Sequence, residues 1–256
     1  MTAKTLASMS NRRREVVLLA IVSVTFMGVM LLEPIPQSLS YHDFADDRPF
    51  LGIPNFLNVI SNIPFLLFGL LGVIYCLRRR QRVAPWSWLV FFIGLAAVCL
   101  GSAYYHWMPN SETLVWDRLP MTIAFMGVFI ALLSEHMSPK VERIWLAPAI
   151  LLGLASVIYW QYTDDLRPYI WVQLVPFLVL PFVFALFAGN YTHRRYLLYG
   201  LIAYALAKVA EFFDAEIFTL TQQLSGHSLK HLLAAVGGLY AYLMLKRRRL
   251  TETAGR

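Results

Sequence analysis

Two histidines near the C-terminal end of the chain have the spacing of a metal-binding pair. His227 and His231 are four residues apart, so on a helix both imidazoles project from one face and can bind the same ion. Zinc suits imidazole nitrogens, and three protein ligands leave its fourth position open for a water molecule. A single His-x3-His pattern is weak evidence, so a third ligand has to be sought elsewhere.

Three further polar residues complete a candidate set. Ser102 and His106 are also four residues apart, which places a hydroxyl beside a third imidazole, and Asp117 follows eleven residues later. Each has a simpler interpretation. His106 suits a membrane interface, Ser102 a small-residue packing site, and Asp117 with Arg118 a surface ion pair. The set gains meaning only if helices bring its members to one place.

The composition indicates which elements would position these residues. Hydrophobic residues make up 58% of the 256 residues and charged residues 14%, whereas soluble domains carry about a quarter charged residues. The chain is therefore predicted to be an integral membrane protein. Nucleic acid is not an expected partner despite the net charge of +7, because the basic residues cluster at the ends of apolar segments.

Eight apolar segments are long enough, or nearly so, to cross a bilayer as helices. We predict an all-α fold, a polytopic membrane helix bundle that forms a single membrane domain over residues 1–256. The predicted spans are 15–32, 54–77, 86–107, 114–134, 144–161, 168–188, 195–213 and 228–246.

The distribution of basic residues predicts the orientation. Threading eight spans puts 17 of the 22 Lys and Arg residues on one side, including Lys4, Arg80, Arg82 and Arg256. The positive-inside rule then places both termini in the cytoplasm. The seven tryptophans lie near the ends of predicted spans, which predicts interfacial anchors.

With this topology the polar residues of five helices fall in the outer half of the bundle, facing the periplasm, the cell exterior or a lumen. They are Asn55, Asn58, Ser61, Asn62, Ser102, His106, Asp117, Lys208, Glu211, Asp214, His227 and His231. Ionisable residues inside a membrane are costly and usually functional. The shared depth predicts that His106, His227 and His231 bind one zinc ion. Lys208 and Glu211, three residues apart, are equally consistent with a structural ion pair.

The same residues resemble the alkaline ceramidase family. The resemblance rests on Ser102-Ala103-Tyr104-Tyr105-His106, Asp117 and His227-Ser228-Leu229-Lys230-His231, and the segment 55–62 is similar to the start of that family's first core helix. The family belongs to a wider group of seven-helix membrane hydrolases and of receptors such as the adiponectin- and progestin-receptor-like proteins. The resemblance covers about residues 41–246. It implies a seven-helix ceramidase-like core with residues 15–32 as an extra N-terminal transmembrane helix.

The resemblance also implies a function and the roles of individual residues. His106, His227 and His231 would ligate zinc beside Ser102 and Asp117, and the substrate would be ceramide or a related N-acyl lipid, cleaved to a fatty acid and an amine base. Asp117 would act as general base for a zinc-polarised water, and the Ser102 hydroxyl would stabilise the oxyanion. Lys208, Glu211 and Asp214 are candidate contacts for the substrate head.

Calcium is a second candidate cofactor, and here the chain departs from the family. Asn55 stands where the family has a glutamate of a calcium site, leaving Asp43, Asp46 and Asn55 as the candidate ligands. Hard oxygen ligands suit calcium, but a solvated acidic loop accounts for them equally well.

Two alternatives to the amidohydrolase remain at this stage. One is a lipid-binding, receptor-like protein with a structural zinc, and the other is a lipid ester hydrolase. A transporter would need polar residues at both depths, and the cytoplasmic halves of the predicted spans look apolar. The expected partners are a lipid substrate and membrane lipids, and the sequence does not indicate an oligomeric state.

Overall fold

The computed structural model describes residues 11–79, 85–187 and 189–251. Within these residues the fold is all-α, and two isolated bridges, between Phe50 and Ile53 and between Tyr191 and Leu250, are the only extended pairings. Residue 188 and the basic residues Lys4, Arg80, Arg82 and Arg256 of the orientation argument lie outside the described residues.

Ten α-helices follow one another in the described part of the chain. They are α1 (Asn11–Met30), α2 (Phe56–Ile60), α3 (Ile63–Arg78), α4 (Pro85–Trp107), α5 (Ser111–His136), α6 (Lys140–Thr163), α7 (Arg167–Leu186), α8 (Arg195–Phe212), α9 (Asp214–Thr221) and α10 (Gly226–Arg247). A 3-10 turn, Leu39–His42, lies in the loop between α1 and α2.

Six of the spans are long and apolar enough to cross a membrane. They are Phe56–Arg78, which joins α2 and α3, together with α4, α5, α6, α7 and α10. A seventh is obtained if α8 and α9, which meet at a bend of 81°, count as one span. These seven coincide with the predicted core spans, so the chain is a polytopic all-α membrane bundle.

The N-terminal helix differs from the other predicted spans. Residues 15–32 were expected to cross the membrane, and α1 is helical as far as Met30, but Arg12, Arg13, Arg14 and Glu15 charge its first turns. Because of these charges, α1 is not among the described helices that are both long and apolar enough to cross a membrane. α1 packs along α7. That α1 crosses the membrane stays a prediction.

The second predicted span is interrupted where polar residues gather. Pro64 is the second residue of α3, and since proline has no N–H it cannot continue the hydrogen bonding of α2. Side chains replace part of that bonding, because Ser61 Oγ and Asn62 Nδ2 both donate to the carbonyl of Asn58, at 3.2 and 2.8 Å. The break lets Ser61 face the interior.

The packing of the helices leaves space on one side. α4 packs closely against α3 and α5, and α8 rests on α10. Although α7 and α8 are consecutive, their described residues barely touch. The groove between them is lined by Leu174 and Leu201 and crossed by the stacked rings of Phe177 and Tyr204, whose centroids are 5.2 Å apart.

The predicted interfacial role is wrong for three of the seven tryptophans. Trp88, Trp160 and Trp171 are buried, because the helices around them pack over those ring positions. Trp88 also donates to Glu135 Oε1 at 2.6 Å. The remaining four are exposed and suit the membrane interface: Trp86, Trp107, Trp116 and Trp145.

Candidate functional site

Three buried imidazoles meet at one end of the bundle. The ring centroids of His106, His227 and His231 are 4.9 Å apart in every pair. The ligand nitrogens all lie within 4.8 Å of one another, and each residue is buried. This is the only group of three or more His, Cys, Asp or Glu side chains with metal-binding geometry in the described residues.

The start of α10 determines where two of these rings lie. Ser225 caps the helix by accepting from the backbone N–H of Ser228 at 3.1 Å, so His227 and His231 fall in its first two turns. Gly226 allows a close approach to α8, since a Cβ there would lie 2.0 Å from the carbonyl oxygen of Ala210. The Asp214 carboxylate accepts from the His227 backbone N–H at 2.6 Å.

A serine in the interrupted second span orients His231. The Ser61 hydroxyl lies 2.8 Å from His231 Nδ1 and 3.2 Å from the carbonyl of Asn58. When Ser61 donates to that carbonyl it can accept from a protonated Nδ1, which leaves the Nε2 lone pair for an ion. His106 Nδ1 is buried with no hydrogen-bond partner among the described residues, so no second group sets its tautomer.

Two asparagines connect this span to the histidine cluster. Asn58 is fully buried, accepts from Ser228 Oγ at 2.7 Å and donates to the carbonyl of Asp46 at 3.0 Å. Asn55 donates to the carbonyl of His106 at 2.9 Å. The amides thus tie α2 to both helices that carry the histidines.

The loop before α2 covers the histidines. The Phe44 ring centroid lies 4.7 Å from that of His106 and 4.5 Å from that of His227. The backbone N–H of Ala45 donates to Asp214 Oδ2 at 3.0 Å. Asp214 therefore holds together the loop that carries Phe44 and the helix that carries His227.

The donor set suits a metal ion. The Nε2 atoms of His106 and His227 are 3.3 Å apart, close to the roughly 3.3 Å expected for two imidazoles on one tetrahedral zinc. Three imidazoles with no thiolate match a zinc site that keeps one open position. The buried His106, His227 and His231 cluster can therefore hold a metal ion.

Ser102 and Asp117 lie next to each other on α4 and α5. Both residues are buried and both line the same cavity. Gly101 lets the two helices approach closely, since a Cβ at this position would lie 2.0 Å from the carbonyl oxygen of Trp116. The interpretation of Asp117 and Arg118 as a surface pair is wrong, since Arg118 is only 5% exposed.

A cavity of about 720 Å³ runs from this polar end between α4, α5, α7, α8 and α10. Ser102, Asp117 and His231 line its polar end, and the rest of its wall is mainly aromatic and aliphatic. It continues along α5 from Asp117 to Leu132, a helical length of about 22 Å. Its volume is typical of a small-molecule or lipid site.

An ion-pair chain borders the same end of the cavity. Glu211 accepts from Lys208 at 2.7 Å and from Lys230 at 2.8 Å, and all three residues line the cavity. Lys230 Nζ also lies 3.0 Å from His227 Nε2. Lys208 and Glu211 thus form the expected ion pair and also border the space where a substrate head would lie. Asp214 does not line the cavity, and backbone N–H groups use both its oxygens.

The candidate calcium ligands have other partners. Asp46 is ion-paired with Arg48 at 2.7 Å, the Asn55 amide binds the His106 carbonyl, and Asp43 is exposed. These residues tie down the outer loop, and the structure adds no support for calcium there.

Sequence reasoning missed several residues of the site. Tyr41, which is 36% exposed, lines the cavity from the 3-10 turn. His42 bonds Tyr105 and Ser111 at 2.9 and 3.2 Å, and burial followed by the charge of Arg118 lowers its pKa. The loop residues had no regular pattern to reveal them, whereas Lys230 stood inside the His-x3-His motif.

The opposite end of the bundle is less apolar than expected. Glu135 is buried and ion-paired with Arg248, and Glu142 accepts from the backbone N–H of Ser87 at 2.6 Å. Because both carboxylates are partnered within the protein, they tie helix ends together and do not form a polar path.

Comparison with known protein families agrees with this geometry. Residues 52–255, about four-fifths of the chain, match the family described as Ceramidase. The chain therefore belongs to the ceramidase family, and membership supports a membrane hydrolase of the ceramide-amidohydrolase type with a lipid substrate such as ceramide. The match begins after α1. A comparison with curated proteins found no match.

Proposed function

We propose that this protein is a zinc-dependent membrane amidohydrolase that cleaves the N-acyl bond of ceramide or a related N-acyl lipid. The observation that carries the proposal is that the three-histidine cluster reaches the polar end of an elongated apolar cavity through His231, with Ser102 and Asp117 lining the same end. A lipid with its chain in the cavity would have its polar linkage beside these groups.

His106, His227 and His231 would hold the zinc ion through ring nitrogens. The ion would polarise a water molecule and lower its pKa to about 7. Ser61 keeps His231 in the tautomer that coordination needs, and Phe44 and Tyr105 pack over the rings and limit the access of bulk water.

Asp117 would move the proton during hydrolysis. Its carboxylate takes a proton from the attacking water and returns it to the nitrogen of the departing amine as the C–N bond breaks. The Ser102 hydroxyl, which lines the same cavity as Asp117, would donate to the developing oxyanion.

The remaining walls would determine how the lipid binds. The apolar length along α5 takes the acyl chain, while Lys208 and Glu211 border the space for the amine head. We place the metal centre in the half of the membrane away from the cytoplasm and both termini in the cytoplasm, because most Lys and Arg residues fall on the other side. Residues 41–246 would form the core of one membrane domain.

The test is metal analysis combined with lipid hydrolysis on the detergent-purified protein. We expect about one zinc per chain, release of fatty acid from an N-acyl lipid, loss of both in His231→Ala, and loss of activity with retained zinc in Asp117→Asn. His193→Ala is the matched control, because His193 bonds Thr192 away from the cluster. Normal turnover by His231→Ala or Asp117→Asn would refute the mechanism.

Two outcomes would favour the alternatives. Stoichiometric zinc without hydrolysis of any acyl amide or ester would support a receptor-like protein with a structural metal. Faster cleavage of acyl esters than of matched amides would support a lipid ester hydrolase. Assaying amides and esters with the same acyl chain separates these cases.

A further inference from the structure

Arg118 is a buried cation that forms no ion pair with a carboxylate in the described part of the chain. Its guanidinium carbon lies 4.0 Å from the ring centre of Trp160 and 4.7 Å from that of Tyr169. Nη2 donates to Gln37 Oε1 at 2.6 Å, while Nη1 is buried and has no partner. The described ion pairs do not include Arg118.

The contacts that the protein itself makes with Arg118 do not fully compensate the cost of burying its charge. A buried guanidinium loses its hydration, and aromatic faces with one neutral acceptor restore only part of that loss. Asp117 precedes Arg118 directly, but consecutive residues on a helix do not face each other. An ionisable residue kept at such a cost inside a membrane protein usually serves a ligand.

The surroundings indicate the charge of that ligand. Arg118 lines the cavity, and the described residues at its polar end comprise three cations, Arg118, Lys208 and Lys230, against two carboxylates, Asp117 and Glu211. Glu211 is already shared by the two lysines. The polar end as a whole therefore carries one excess positive charge, and Arg118 is its cation without an ion-pair partner among the described residues. Its planar donors suit carboxylate or phosphate oxygens.

We infer that Arg118 binds an anionic oxygen group on the amine part of the lipid substrate, which would make N-acyl lipids with an acidic head the preferred class. This inference rests on the proposed function and narrows its substrate. Tyr41 lines the same cavity with its ring 5.8 Å from the Arg118 guanidinium carbon, and its protonated hydroxyl can donate a second hydrogen bond to that group.

The experiment compares two lipids that differ only in the head. N-palmitoylglycine carries a carboxylate where N-palmitoylethanolamine carries a neutral hydroxymethyl group. We expect kcat/KM at least tenfold higher for the acidic lipid. Arg118→Gln should lower kcat/KM for N-palmitoylglycine by about 10- to 100-fold, the usual range for one charged hydrogen-bonding contact, and change that for N-palmitoylethanolamine less than threefold. Arg118→Lys should keep part of the preference.

Controls and a binding assay distinguish failure of this inference from failure of the proposed function. Arg48→Gln removes an equal charge from an exposed outer position and should leave the preference unchanged. If neither of these lipids nor ceramide is hydrolysed, the proposed function fails, and equilibrium binding of the two lipids to the wild type and Arg118→Gln still tests the head preference. Equal use of both lipids by the wild type would overturn the inference. An equal loss of kcat/KM for both lipids in Arg118→Gln would also overturn it. So would weaker binding of palmitate, the fatty-acid product, by Arg118→Gln with an unchanged head preference, because Arg118 would then contact the acyl carboxylate rather than the head.

Discussion

At the scale of single residues, Ser61 links the interrupted second span to the histidine cluster. Replacing Ser61 with Ala removes the acceptor for His231 Nδ1, so the ring loses the group that sets its tautomer. We expect metal affinity to fall about 10- to 100-fold, measured by competition with a chelator of known affinity. Ser134→Ala is the control, because Ser134 is buried and its hydroxyl has no described partner. Equal retention of metal by both variants would contradict the prediction.

A second prediction at this scale concerns acid stability. The Arg167 guanidinium beside Asp165 holds the pKa of that carboxyl below its usual 3.8, and Arg167 also donates to the carbonyl of Met30 at the end of α1. A carboxyl whose pKa is lower when folded contributes stability above its unfolded pKa, and this is lost as the pH falls through the folded value.

The wild type should therefore melt above Asp165→Asn at about pH 6, and the difference should shrink below about pH 4. Thermal unfolding in detergent across this range is the measurement. Asp43→Asn, which removes an exposed carboxylate on the same side, should show a smaller difference. A gap between wild type and Asp165→Asn that widens toward acid would contradict the sign.

The chemistry of the candidate site could be predicted from spacing, but not its supporting contacts. The four-residue intervals at 102 and 106 and at 227 and 231 place side chains on common helix faces, because the helical repeat is regular. The positions of Phe44 and Tyr41 depend on an irregular loop folding over the helices. The burial of Arg118 depends on how α5 is rotated against Trp160 and Tyr169, which no short-range pattern encodes.

At the scale of elements, Gly101 controls the distance between α4 and α5. A Cβ at this position would lie 2.0 Å from the Trp116 carbonyl oxygen, so Gly101→Ala must push the helices apart beside Ser102 and Asp117. We expect a loss of about 1–3 kcal/mol in stability and a fall in kcat larger than the loss of bound metal. Gly200→Ala is the control, since its Cβ would meet nothing closer than 3.6 Å.

The helices themselves were well predicted, because long apolar runs have few alternatives in a membrane. Two interruptions of these helices were not predicted. The break before Ile63 was signalled by Pro64 and by the polar residues Asn58, Ser61 and Asn62, but the length and mainly apolar composition of residues 54–77 indicated a single span. The bend of 81° after Phe212 turns α9 away from α8 and is defined by tertiary contacts, including the two hydrogen bonds of Asp214.

At the scale of the whole molecule, the orientation in the membrane remains to be tested. We expect Thr163→Cys, at the exposed end of α6, to react with an impermeant maleimide in intact cells, and Lys140→Cys, at its exposed start, to react only after permeabilisation. Both native cysteines, Cys76 and Cys99, are buried, so the background should be low. The opposite labelling pattern would invert the predicted topology.

The slight contact between α7 and α8 has a kinetic consequence for a protein that acts on lipids. A lipid that reaches the cavity through their groove arrives by lateral diffusion within the bilayer rather than from water. The rate should then follow the mole fraction of substrate among the surrounding lipids. Diluting a fixed amount of substrate with inert phospholipid would slow turnover even though its total concentration in the tube is unchanged.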